Sequence, residues 1–310
     1  MLHRRQALLT GLAGLAGLFG TGRVSGIEPT AKPLPLSFSL YGMRDLSPVK
    51  AIGSLAQMGY QGIEIPALPG FATDPTHCTL DTRRDIRKAL SDNGLTLGSV
   101  MESLPYAEDA KILATYPDRI QRAVELFHDV SPEGKPLLET IVGGKPGESI
   151  AAHDGLLAML CGWDKTLLAA GARIALKAHR FQMLNTHPLL AELLKEVGSP
   201  RIVAVFDPSH EPDPRVDPAL ALASVLKRLA FVHIKDVDWA ISPQKDARFV
   251  LPGQGKLNWS AFASALRSSG FSGPVCVEVS RQIWDTKGFD ALAAAKSSIA
   301  FLSNELRVKG

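Results

Sequence analysis

The chain is poor in the residues that staple or ligate. Its 310 residues include three cysteines, Cys78, Cys161 and Cys276, and no CxxC pair. That spacing excludes a zinc ribbon and a disulfide framework. Cys161 falls in an apolar helical stretch and Cys276 in a strand-like run, so both are expected to be buried as small hydrophobes. No GxGxxG opens a helix after the first strand-like run, so a nucleotide-binding doubly wound sheet lacks its fingerprint. Gly253 and Gly255 lack the flanking pattern of a phosphate loop and are read as allowing a tight turn. Charge of one sign is also missing. Lysine and arginine total 34 against 31 acids, and Arg4, Arg5 and Arg23 of the leading segment account for the difference. The balanced remainder speaks against nucleic acid as a partner.

No apolar run spans a bilayer comfortably. The longest candidate, Ala7 to Gly20, is short and rich in Leu, Ala and Gly; it follows Arg4 and Arg5 and precedes the small residues Ser25 and Gly26. This pattern predicts an export signal over residues 1–26, of the twin-arginine type, and a periplasmic or exported protein without stable membrane insertion after processing. A linker over 27–35 follows, with the barrel expected over 36–310.

The rest, in a chain 45% hydrophobic, alternates short apolar runs with longer helical ones. Strands are predicted at Leu36–Leu40, Gly62–Ile65, Thr96–Met101, Glu139–Val142, Arg173–Leu176, Ile202–Phe206, Ala230–Ile234 and Val275–Val279. Helices are predicted at Pro48–Met58, Leu80–Asp92, Asp118–Val130, His153–Ala170, Pro188–Val197, Pro218–Arg228, Trp259–Ser269 and Gly288–Leu306. Ser47 and Asp118 suit N-caps, and glycines follow several helix ends. Several strand runs are apolar without strict alternation, as parallel strands covered on both faces are. The predicted fold is an α/β, single-domain (β/α)8 TIM barrel.

In such a barrel, polar residues at the C-terminal ends of strands face one pocket. Asp207, His233 and Glu278 end three successive runs and form a carboxylate and imidazole set suited to a hard or borderline divalent ion. Each also has a structural reading: a turn before Pro208, a satisfied core histidine, a buried ion pair. Other candidates at strand ends are Tyr41, Arg44, Glu64, Glu102, Lys145, Lys177, His179, Arg180, His210, Lys235, Asp236 and Arg281. Glu64 either contacts substrate hydroxyls or pairs with Arg44. Arg248, ahead of LPGQG, is a candidate lid residue, and Lys145 a candidate anion site.

GYQGIEI, FDPSH, HIKD, LPGQGKLNW and GPVCVEVS, in that order and spacing, resemble the xylose isomerase-like TIM-barrel superfamily, in its sugar phosphate isomerase/epimerase branch, over roughly Leu36 to Leu306. The resemblance implies a carbohydrate substrate and a divalent metal (Mn, Mg, Co or Zn) held by Asp207, His233 and Glu278, with His210 at a substrate-binding or additional metal-binding position; His179, Lys235, Glu64 and Arg248 are the other candidate substrate contacts. It implies isomerisation, epimerisation or elimination through a proton taken next to a carbonyl by Glu278 or Lys177. An oligomer is compatible with it. The chain departs from the family at Lys177, which stands where a fourth, carboxylate ligand is expected. A lysine ammonium cannot coordinate a cation. Either three protein ligands and water hold the metal, with His179 or His210 filling in and Lys177 a proton shuttle of depressed pKa, or the metal is lost and Lys177 occupies its space. The structural reading is that Lys177 salt-bridges Glu278 or Asp207 in a retired site. A non-catalytic sugar-binding barrel is the alternative function.

Overall fold

The computed structural model describes residues 34–147, 150–239 and 247–306. The expected export signal and most of the expected linker lie outside the described residues. Eight parallel strands close into a barrel in the order β1-β10-β7-β6-β5-β4-β3-β2. They are β1 (Leu36–Ser39), β2 (Gly62–Pro66), β3 (Thr96–Met101), β4 (Leu137–Ile141), β5 (Arg173–Lys177), β6 (Ile202–Phe206), β7 (Leu229–Ile234) and β10 (Val275–Val277). An antiparallel pair, β8 (Asp236–Asp238) and β9 (Arg248–Val250), stands outside the ring after β7. The long helices are α1 (Pro48–Met58), α2 (Leu80–Asn93), α4 (Tyr116–Val130), α5 (Ile150–Ala169), α6 (His187–Val197), α7 (Pro218–Val225), α8 (Trp259–Ser268) and α10 (Ala291–Glu305), with the single-turn α3 (Ala110–Leu113) and α9 (Arg281–Trp284) between them.

Helix boundaries follow local chemistry. Ser47 accepts the Lys50 N–H at the start of α1, Pro48 occupies its first turn, and Gly59 ends it at φ 96°. Asp118 is not the cap of α4: the helix begins two residues earlier because Pro117 fits its first turn, leaving Asp118 inside that turn beside the positive helix end. Strand β10 stops at Val277, but the ladder continues one bond further, from Glu278 N–H to the Ile234 carbonyl at 3.0 Å. Cys78 and Cys276 are buried free thiols, whereas Cys161 lies on the exposed side of α5, contrary to expectation. Among the described residues, no helix is long and apolar enough to cross a membrane.

The barrel's interior explains the site. Leu137, Ala175, Val203, Val205, Phe231 and Cys276 form an apolar cluster separate from the larger core between strands and helices. Side chains two apart along a strand share a face. Glu139, Lys177, Asp207, His233 and Glu278 each follow one of these residues by two positions, so the apolar plug is capped by a charged layer at the C-terminal ends of the strands.

Candidate active site

A cavity of about 220 Å³ opens above this layer, with Glu139, Lys177, Lys235, Glu278, His179 and His210 among its lining residues. Its floor is an ion network. Lys177 Nζ lies 2.7 Å from Glu278 Oε2 and 3.2 Å from Glu139 Oε1. Lys235 Nζ lies 2.6 Å from Asp207 Oδ2 and 3.1 Å from the same Glu278 Oε2. Beneath them, His233 Nε2 is 3.1 Å from both Glu64 oxygens, and its Nδ1 is 3.2 Å from Glu278 Oε2. Ser99 donates to Glu64 from below.

Burial disfavours every charge here, so the neighbours decide each state. Burial acts against the Lys177 ammonium, but Glu139, Glu278 and Asp207 outweigh it and raise its pKa well above the usual lysine value. The expected shuttle of depressed pKa is therefore corrected: the acids around Lys177, Glu278 nearest at 2.7 Å, raise its pKa instead. Burial likewise opposes charge on His233, yet Glu64 foremost holds its imidazole well above the ordinary histidine range. Burial pushes the Glu139 carboxyl up, and Lys177 offsets this only in part. Glu278 goes the other way, because Lys177 and Lys235 overcome burial and hold it well below the carboxylate range.

The cavity wall carries two stacked imidazoles, His179 and His210, with ring centroids 4.1 Å apart. Burial, aided by Lys177 and Lys235, lowers the pKa of His179 to about 4; burial and His179 lower that of His210 as well. Both are neutral at pH 7, and His179 Nδ1 and both His210 nitrogens make no hydrogen bond within the protein. Such nitrogens suit sugar hydroxyls, which donate and accept.

Several candidates sit elsewhere. Glu64 is fully buried under His233 and touches neither the cavity nor Arg44, whose guanidinium packs over Phe71 and Trp284. Arg248 points outward, 3.6 Å from Asp238, while the next residue, Phe249, lines the cavity. The alternation of β9 turns Arg248 away and corrects its reading as a lid residue. Lys145 is not among the lining residues. Asp236 is an internal anchor, accepting from the N–H groups of Val237, Gly253 and Leu257 and from Trp259 Nε1. Two further residues carried no signal beyond their type. Glu139 opens the predicted run Glu139–Val142, whereas β4 starts two residues earlier and carries it inside the strand. His187, paired with Glu211, accepts the Asp207 N–H and fixes the end of β6.

A family model described as xylose isomerase-like TIM barrel matches residues 52–305. The chain belongs to that family. Solved structures similar to this family member include L-ribulose 3-epimerase, with 21% identity, a TM-score of 0.69 and coverage of 87% of this chain and 94% of that one. Another is 3-keto-D-glucoside 4-epimerase from E. coli in its apo form, at 17% identity and a TM-score of 0.69, covering 87% and 99%. A third is a xylose isomerase-like TIM barrel/4-hydroxyphenylpyruvate dioxygenase fusion protein, at 17% identity and a TM-score of 0.71, the match covering 87% of this chain but 42% of that one. The chain thus spans less than half of the fusion protein. No curated protein sequence is significantly similar to it.

The metal that the family resemblance implies can be tested against the donors. Asp207, His233 and Glu278 do converge, with one donor atom of each within 4.8 Å of the others. They do not fit a divalent ion as they stand. Glu278 Oε2 and Asp207 Oδ2 already accept from ammonium groups, and both ring nitrogens of His233 are engaged, Nδ1 at 3.1 Å from Lys177 Nζ and Nε2 at 3.1 Å from both Glu64 oxygens.

Proposed function

We propose that this family member is a carbohydrate isomerase or epimerase that removes and returns a proton next to a carbonyl. The observation that carries this reading is the pair Glu139 and Glu278. They come from strand positions opposite each other in the eight-membered ring, and both meet the Lys177 ammonium at the cavity floor. Their environments push their pKa values apart, which separates an acid from a base.

The ionised Glu278 takes the proton from the carbon beside the carbonyl. The C–H electron pair becomes the new C=C bond, and the carbonyl π electrons move to oxygen. Glu139, whose carboxyl is pushed up in pKa by burial, returns a proton to the same carbon from the other side, giving the epimer; return by Glu278 to the former carbonyl carbon, with the adjacent hydroxyl proton passing to the former carbonyl oxygen, gives the isomer. His179 and His210 hold hydroxyls. The cavity lysines are already paired with carboxylates, which favours a free sugar or glycoside over a sugar phosphate. We place the activity outside the cytoplasm, on the strength of the arginine pair and short apolar run in the leader.

The test is incorporation of deuterium from heavy water into a panel of ketoses and keto-glycosides. Exchange that is lost in Glu278→Gln and Glu139→Gln supports the reading. Sugar binding without any exchange would replace it with the non-catalytic sugar-binding barrel.

A further inference from the structure

We propose that Lys177 and Lys235 together stand in for the divalent cation, so that this site takes its substrate's oxygens on two ammonium groups and binds no metal. The inference deepens the proton-transfer reading and rests on it for the identity of the ligand, but not for the refusal of metal.

Three observations carry it. First, both ammonium groups reach one oxygen, Glu278 Oε2, at 2.7 and 3.1 Å, and Lys235 also holds Asp207 Oδ2 at 2.6 Å. A metal bound to the same oxygens would have to displace both cations. Second, Asp207 and His233 are fully buried and do not line the cavity, whereas Lys177, Lys235 and Glu278 do. The lysines therefore lie between two of the three expected ligands and any substrate. Third, both ring nitrogens of His233 already have partners: Nδ1 lies 3.1 Å from Lys177 Nζ, and Nε2 lies 3.1 Å from both Glu64 oxygens.

The same geometry supplies the chemistry. An ammonium has three donors, so a lysine bound to Glu278 can turn one N–H toward a carbonyl oxygen above it. As negative charge develops on that oxygen, the two ammonium groups stabilise it, and their weakened hold on Glu278 makes that carboxylate a stronger base. No oxidant or other co-reactant is needed, because the proton leaves carbon for Glu278 and the electron pair stays within the substrate.

Manganese ion alone is the probe. Protein purified without chelator is analysed for bound metal, then titrated with MnCl2 and followed by calorimetry and thermal unfolding, and Lys177→Glu and Lys235→Ala are examined in parallel. The expected result is no stoichiometric metal in the native chain, no change in Tm with Mn or EDTA, and a gain of Mn binding with a raised Tm in Lys177→Glu, which restores a carboxylate and removes a cation. Lys235→Ala, which uncovers Asp207 without adding charge, serves should the first variant not fold. Stoichiometric Mn in the native chain, or deuterium exchange abolished by EDTA, would overturn the proposal. Absence of exchange in a chain that also refuses Mn would instead remove the proton-transfer reading, and with it the role of the ammonium groups toward substrate.

Discussion

Lys177 and Lys235 share a single carboxylate oxygen, Glu278 Oε2. Removing the charge on Glu278 leaves two buried ammonium groups with less than they need, since Asp207 holds only Lys235 and Glu139 is itself pushed toward its neutral form. Glu278→Gln keeps the shape and loses the charge. Its expected cost is about 3 kcal/mol, the scale of a broken buried ion pair. Urea denaturation measures it, and a loss within error would mean that the network is not held by charge.

Lys177→Met removes the cation common to Glu139 and Glu278 while keeping most of its length. Loss of one donor to a developing oxyanion lowers rates by about 100-fold or more. Deuterium exchange is expected to fall by that factor, and unchanged exchange would take Lys177 out of the reaction.

The fold was legible because strand and helix periodicities, caps and punctuating glycines agree along the chain. Strands β3 and β6 coincide with their predicted bounds. The β8 and β9 pair was not legible: its three-residue strands are too short for periodicity, and they are specified by bonds to Asp236 from residues far along the chain. The site was legible as a list of strand ends and not as a set of states. That the pKa of Lys177 is raised and not depressed depends in part on Glu139, an acid inside β4 whose inward face only the barrel's register reveals. That Arg248 faces outward depends on the same unseen hairpin.

Asp236 organises the connection from β7 to α8 by accepting four hydrogen bonds, from three main-chain N–H groups and Trp259 Nε1. A Cβ at Gly255 would collide with its carboxylate, so the loop passes too close for any other residue there. Asp236→Ala strands these buried donors and is expected to cost about 3 kcal/mol or more. Hydrogen exchange at Gly253 and Leu257 should accelerate together. Protection unchanged at both would show that the loop is held by its apolar contacts instead.

Phe249 lines the cavity, while Arg248 is turned to solvent with its side chain 67% exposed. Arg248→Ala is therefore expected to leave KM for a turned-over sugar within about 2-fold, as surface changes away from buried features do. Phe249→Ala removes a wall that also covers Lys235, whose Nζ lies 5.2 Å from the ring centroid, and is expected to raise KM by about 10-fold. The reverse ordering of the two variants would mean that the β9 register differs in the working enzyme.

His179 and His210 give the site a pH signature with a definite sign. Folded, His179 titrates at about 4 against an ordinary value of 6.5, and His210 also lies well below 6.5. Between these values the unfolded chain binds protons that the folded chain refuses, so stability is lost as pH falls from about 6.5 toward 4, by up to about 1.4 kcal/mol per pH unit for each group. His233 acts oppositely: its raised folded pKa contributes stability fully below 6.5 and loses it as pH climbs toward that folded value. It therefore cannot produce the acid-side loss. His179→Asn, which cannot titrate, should flatten the stability profile between about pH 6.5 and 4.5 relative to the native chain. An unaltered profile would mean that His179 takes up its proton in the folded state, and the cavity wall would then be cationic rather than neutral toward a sugar.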